Sequence, residues 1–206
     1  MSSNKSISKK NRTPLVPQRS HGKLRYAALL EAGGAVIAEK GFQMATMAEI
    51  ASKAGAPIGS LYRFFPNKEI LADALLQRFI ELVNKAFDDI NLKSNSLSTE
   101  ALSDALLRIV TDLHGERAAL RALLEAHSDW STKRQEFRSH LRRRIAETLT
   151  RRNPKLDPKV ARNMAVILLQ NMKMVGVLGE ELRGDALSGA LTELREMTLL
   201  YLDART

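Results

Sequence analysis

The chain has 206 residues, with 32 Lys and Arg against 23 Asp and Glu, a formal charge of +9. Apolar residues at 44% and charged residues at 27% are ordinary for a soluble globular chain, which excludes disorder as a whole-chain state and fits one large domain or two small ones. The absence of Cys excludes disulfide scaffolds, thiolate metal sites and Cys nucleophiles, and no apolar run approaches a membrane span or the core of a secretory signal, so a soluble cytoplasmic protein is expected.

The charge is unevenly spread. Residues 1–25 hold Lys5, Lys9, Lys10, Arg12, Arg19, Lys23 and Arg25 with no acid, which leaves only +2 for the remaining 181 residues. Residues 1–22 are also rich in Ser and Asn, contain Pro14 and Pro17, and lack sustained apolar periodicity, so they read as a basic disordered arm. Such an arm suits a polyanion or serves as a solubilising tail, and the segment alone leaves both open.

Over 23–39, Leu24, Ala27, Ala28, Leu30, Ala35, Val36 and Ala38 recur at helical spacing, and Gly41 stands where a C-terminal glycine is expected. Thr46 is placed to cap a short helix through Met47, Ile50, Ala51 and Ala54, with Glu49 completing a capping box and Gly55 ending it. Pro57 supplies the fixed φ of a first helical position for a second short helix, which runs through Leu61 to Phe65 and ends before Pro66. Asn67 then caps a longer helix that begins with Lys68 and Glu69 and continues through Leu71, Leu75, Phe79, Val83 and Phe87. The polar stretch 91–99 reads as a loop. Further helices are expected near 99–113, 116–127, 130–150, 157–182 and 185–202, with Gly115, Pro154, Pro158, Gly179 and Gly184 marking turns. Strand patterns and fixed-period repeats are absent, so the expected fold is all-α with about nine helices.

Two short helices joined by a glycine turn form a helix-turn-helix, whose second helix enters the DNA major groove. Ile50, Ala51, Ala54, Leu61 and Phe65 would be its buried contacts, and Ser60 and Arg63, three apart, share a solvent-facing side open to base edges. Ile58 would either pack on the flank or touch a thymine methyl, and Gly59 lets a duplex backbone approach closely.

The run from Thr46 through Ile50-Ala51, Ala54-Gly55, Gly59-Ser60-Leu61-Tyr62, Phe65, Lys68 and Glu69 resembles the N-terminal DNA-binding domain of the tetracycline-repressor (TetR) family over about residues 23–75. The resemblance implies an N-terminal three-helix DNA-binding domain over 23–68, and a helical effector-binding and dimerisation domain over 69–206. It also implies phosphate contacts for Thr46, Tyr62 and Lys68, and base contacts for Ile58, Ser60 and Arg63. Taken singly, Tyr62 also reads as a half-buried aromatic and Lys68 as an ordinary surface lysine. Ala56 and Pro57 depart from the family's usual Val and Ser and remove a hydroxyl and an amide from the backbone contacts; the basic arm would compensate from the adjacent minor groove.

Half-sites one turn apart, ~34 Å, call for two reading helices related by a two-fold axis. The segment 157–182 is apolar around most of its circumference, and 185–202 carries Leu187, Ala190, Leu191, Leu194, Met197, Leu200 and Tyr201. These two segments would form a homodimer interface, which the resemblance implies is a four-helix bundle. Between them and the DNA-binding region, Phe87, Leu113, His114, His127, Trp130, Phe137 and Met172 are candidates for an apolar site that takes an apolar or amphipathic small-molecule effector. Arg142, Arg143 and Arg144, with Arg151 and Arg152, read as solvated surface.

No His-Glu-x-x-His, Gly-x-Gly-x-x-Gly, Walker-type loop or Gly-x-Ser-x-Gly elbow occurs, so no catalytic, cofactor or metal site is expected and the protein is not read as an enzyme. The function expected is that of a dimeric repressor released from a palindromic operator by its effector, and the alternative is a non-specific architectural DNA-binding protein.

Overall fold

The structure, a computed structural model, describes residue 17 and residues 19–93, 96–126 and 130–205. The expected basic arm therefore lies almost wholly outside the described residues, as do His127 and the side chain of His114. The described residues form α1 (Ser20–Met44), α2 (Met47–Lys53), α3 (Ile58–Phe64), α4 (Lys68–Lys93), α5 (Thr99–Asp112), α6 (His114–Ala126), α7 (Ser131–Arg152), α8 (Pro158–Glu181) and α9 (Gly184–Asp203), with no strand among them. The expected all-α class is what is found.

The helix ends follow local chemistry. Gly41 takes φ 78°, which an L side chain adopts only with strain, and breaks the last turn of α1. Gly55 at φ 58° turns the chain between α2 and α3. Asn67 Oδ1 accepts from the Ile70 amide at 2.8 Å, Ser98 accepts from the Ala101 amide at 3.1 Å, and Asp157 accepts from the Lys159 amide at 2.6 Å. Four sequence expectations need correction. Pro57, at ψ 137°, is the cap before α3 and not its first helical residue. Gly115 and Gly179 lie within α6 and α8 and mark no turn. The loop placed at 91–99 begins only after Lys93, because Asn91 Oδ1 accepts from Thr148 on α7 at 2.8 Å and this contact carries α4 onward. Arg144 and Arg152 are not solvated surface. Arg144 pairs with Asp88 and Glu147 and stacks over Phe87, and Arg152 binds the Leu97 carbonyl and the Thr99 hydroxyl.

Two apolar cores result. The first gathers Leu29, Ile37, Ile50, Leu61, Phe65 and Leu71, and draws in Leu123 from α6 and Trp130. The second holds Phe79, Val83, Phe87, Leu102, Leu106, Ile145, Leu149 and Leu168. α4 runs through both, with Leu71 and Ala72 in the first and Phe79 to Ile90 in the second. α6 also divides its side chains, since Leu123 packs in the first core and Leu120 in the second.

The start of α2 is the most strongly fixed local feature. The Thr46 hydroxyl accepts from the Glu49 amide at 3.2 Å, and the Thr46 amide donates to the Glu49 carboxylate at 3.1 Å. Lys40 adds an ion pair at 2.6 Å. The Lys40 ammonium first, then the Thr46 hydroxyl and amide, hold the Glu49 carboxyl at about 2, against an ordinary 4.5. A carboxyl held low in the fold adds stability in full above its ordinary range, and loses that stability as pH falls from about 4.5 to about 2. The urea midpoint of Glu49→Gln should therefore lie below that of the wild type at neutral pH, with the gap closing towards pH 2; a gap that stays constant across that range would remove this role. Thr46→Ala should cost about 1 kcal/mol of stability at neutral pH in the same experiment.

Candidate functional site

The second helix of the helix-turn-helix presents two different sides. Leu61 and Phe65 are fully buried, while Ile58 and Tyr62 are each 46% exposed and Gly59 and Arg63 are exposed. Ser60 is half-buried, with its amide bonded to the Pro57 carbonyl at 2.8 Å. Periodicity alone left Phe64 unassigned; it is buried, edge-on to Tyr26 at 5.8 Å between ring centroids, and Tyr26 also lies 4.9 Å from Phe65. This aromatic group fixes the roll of α3, so that Ile58, Gly59, Tyr62 and Arg63 share the outer side.

Thr46 and Lys68 flank this helix, and both are engaged within the fold. The Thr46 hydroxyl donates to the Glu49 carboxylate at 2.9 Å. Lys68 donates to the Gln43 and Ala45 carbonyls at 3.0 Å each, with its ammonium 4.6 Å from the centre of the Phe42 ring. An ammonium has three donors, so one is left for an outside anion. Nothing in the sequence signalled these bonds, because they join residues 23 and 25 positions apart.

The candidate effector residues separate. Leu113, Phe137 and Met172 line a cavity of about 350 Å³ formed by α4 to α8, together with Phe79, Val83, Ile109, Leu120 and Leu141. Phe87 is fully buried beneath Arg144 and lies off this lining, and Trp130 belongs to the first core, with Lys133 over its ring. His114 and His127 fall outside what can be described. The cavity also carries Arg117, Arg121, Arg134, Arg138 and Lys173, none of which the sequence reading had placed there. Burial lowers the pKa of Arg117, and it lowers that of Lys173 with help from Arg138 and Arg142. The sequence signal was the ladder Arg134, Arg138, Arg142, four apart and on one face of a helix, rather than the consecutive run 142–144.

A third surface is apolar and uncovered. On α8, Val166, Ile167, Met174 and Val177 are exposed; on α9, Met197 is 53% and Leu200 60% exposed. These are large side chains that a solvated helix face does not ordinarily gather. Between the two helices Asn171 donates to the Thr198 hydroxyl at 3.0 Å, which ties them into one unit.

Among the described residues no three His, Asp or Glu side chains meet as a metal-holding group, and His140 bonds to Asn84 at 2.7 Å. No helix of the described residues is long and apolar enough to cross a membrane.

Comparison with known proteins bears on this arrangement. Residues 29–75 match the bacterial regulatory proteins of the tetR family. The chain is 39% identical over 66 residues to the HTH-type transcriptional repressor KstR2 of Mycobacterium tuberculosis, a match that covers 32% of this chain and 33% of that protein. The aligned region thus spans about a third of the length of the curated relative. The fold is similar to that of a transcriptional regulator (TerR/AcrR family) from Aquifex aeolicus VF5, with a TM-score of 0.68, 20% identity and coverage of 87% of this chain and 98% of that one. It is also similar to a TetR-like transcriptional regulator from Rhodococcus sp. RHA1, with a TM-score of 0.58, 24% identity and coverage of 90% and 99%.

Because Lys68 is bonded to the end of α1, its removal should affect stability as well as any anion contact. Lys68→Met keeps the stem over Phe42 but leaves two carbonyls without a donor, and should lower unfolding stability by about 1–2 kcal/mol in urea denaturation. An unchanged midpoint would show that these two bonds contribute nothing.

Proposed function

We propose that the chain, whose residues 29–75 match the tetR family of bacterial regulatory proteins, is a dimeric transcriptional repressor whose α3 reads a palindromic operator and which a small molecule releases. The observation that carries the reading is the outer side of α3, where Ile58, Gly59, Tyr62 and Arg63 stand clear while Leu61, Phe64 and Phe65 anchor the helix in the core. A guanidinium at Arg63 can pair in bidentate fashion with guanine, Ser60 can donate or accept at its edge, and Tyr62 and the remaining donor of Lys68 serve phosphates. Thr46 acts chiefly by fixing where α2 begins, since its hydroxyl is engaged with Glu49.

The division proposed is a DNA-binding unit over 23–68 and an effector and dimerisation unit over 69–206. The uncovered face of α8 and α9 is the surface proposed to pair with a second copy, in keeping with the two-fold symmetry that two half-sites demand. Effector occupancy would reach the reading helix through α6 as well as α4. Arg117, Leu120, Arg121 and Leu124 of α6 line the cavity, while Leu123 of the same helix packs in the core that holds α3, with Ala122 against it. Gln43 at the end of α1 also donates to the Ala126 carbonyl at 3.2 Å. A shift of α6 that favours one arrangement of the reading heads needs only ~1–3 kcal/mol of coupling to change operator affinity.

Selection of bound sequences from a random duplex pool tests the function directly, with one short palindrome expected; uniform binding to any duplex with a steep salt slope would instead favour an architectural protein. Arg63→Ala should change preference at one base position by about 1–3 kcal/mol, and equal losses on operator and random DNA would remove Arg63 from readout. Ile167→Asp with Leu200→Asp should give a folded monomer in sedimentation that no longer protects the palindrome. A double variant that still sediments as a dimer would exclude this face as the interface.

A further inference from the structure

The cavity between α4 and α8 is not closed off by apolar residues alone. It shares Arg134, Arg138, Leu169 and Lys173 with a second groove of about 450 Å³ between α7 and α8, where Arg142 joins them and no carboxylate lines the wall. The two adjoin along these shared residues, with Phe79, Phe137 and Met172 on the apolar side, Arg138, Arg142 and Lys173 on the cationic side, and Val166 at the outer edge of the groove.

The cationic end is left unneutralised by the fold. Among the described residues Arg117, Arg138, Arg142 and Lys173 form no ion pair; Glu180, the acid nearest in charge to Arg117, is paired with Arg121, and Glu125 alone among acids lines the cavity. Arg117, Arg142 and Lys173 are half-buried and Arg138 is exposed; like charges gathered in this way repel one another, and an anion relieves them. A second feature is independent of the charge count. The Arg117 guanidinium lies across the backbone of Gly176 on α8, so that even a methyl group at position 176 would occupy its place. Arg117 thus lies at the cavity, where it feels the charge of Glu180 but forms no ion pair among the described residues.

We infer that this depression binds an anionic amphiphile, its hydrocarbon part in the cavity and its carboxylate or phosphate head against Arg138, Arg142 and Lys173, with Arg117 over Gly176 as a further cation. It rests on reading the cavity as the effector site and adds the charge of the ligand. A neutral ligand of the same length gains the apolar contacts but leaves the four cations unpaired, and a cationic one adds to their repulsion. Charge-assisted bonds from guanidinium groups, being bidentate and short, would supply the selectivity.

Calorimetric titration of the full chain with decyl phosphate, decanoate, decanol and inorganic phosphate, below the micellar range, tests this. Both alkyl anions should bind, decanol should bind at least about tenfold more weakly, and inorganic phosphate should bind more weakly than decyl phosphate. The double variant Arg138→Gln with Arg142→Gln should lose about tenfold for the anions and nothing for decanol. Gly176→Ala displaces Arg117 without changing the charge, and should weaken the anions alone while its thermal melt shows a folded chain. Equal binding of decanoate and decyl phosphate marks a carboxylate head as sufficient and tighter decyl phosphate marks a phosphate head; both support the proposal. Decanol binding as tightly as the anions overturns the charged head and leaves the cavity as a site. Anions that bind as expected yet leave operator DNA in place uphold the ligand class and remove only the effector role.

Discussion

Leu123 and Trp130 come from the second half of the chain but are buried in the core that carries Leu61 of α3 and Phe65 at its end. Removing either side chain would open a hole in a densely packed interior, where lost methylenes cost both transfer free energy and a cavity. The orientation of α3 is therefore not a property of its own short segment. A seven-residue helix has too few hydrogen bonds to persist alone, and its direction is set by what it packs on. The core that α3 enters also takes Leu123 of α6, and other residues of α6 line the cavity. The proposed regulation rests on this shared helix.

Charge plays the complementary part. The pairs on the first half of the chain, Lys40 with Glu49 and Lys53 with Glu39, are largely exposed and serve to place helix ends, where they contribute little to overall stability. In the second half, Arg195 on α9 is gripped by Glu100 and Asp104 of α5, and Arg144 of α7 by Asp88 of α4. The cations of the α7–α8 groove form no ion pair with the described residues. The same residue type thus stands in two electrostatic settings on neighbouring helices, and the difference lies in whether the adjoining helix supplies a carboxylate.

Much of the helix-turn-helix was readable from spacing. Thr46 with Glu49, Gly55, Pro57 and Asn67 act within a few residues of themselves, and such local bonds form wherever the chain order allows. The same holds for Gly41, whose positive φ interrupts the last turn of α1. Readings that spanned distance fared differently. The loop expected to open at position 91 was shortened by Thr148 reaching Asn91 across 57 positions. Trp130 and Phe87, both apolar and both between the two regions, read from the sequence as one ligand site, yet one belongs to the first core and the other lies under Arg144.

What the amino-acid order determined by itself is the all-α class, the number and approximate ends of the helices, and the paired inner and outer sides of α3, because helical periodicity, caps and breakers are short-range effects that need no partner helix. Only the tertiary structure decided which basic residues face acids and which face an open recess, that Lys68 closes the end of α1, and that α6 belongs to both cores. Those outcomes depend on the packing angle and depth of helices far apart in sequence, and side-chain spacing along one helix carries no record of what the neighbouring helix presents.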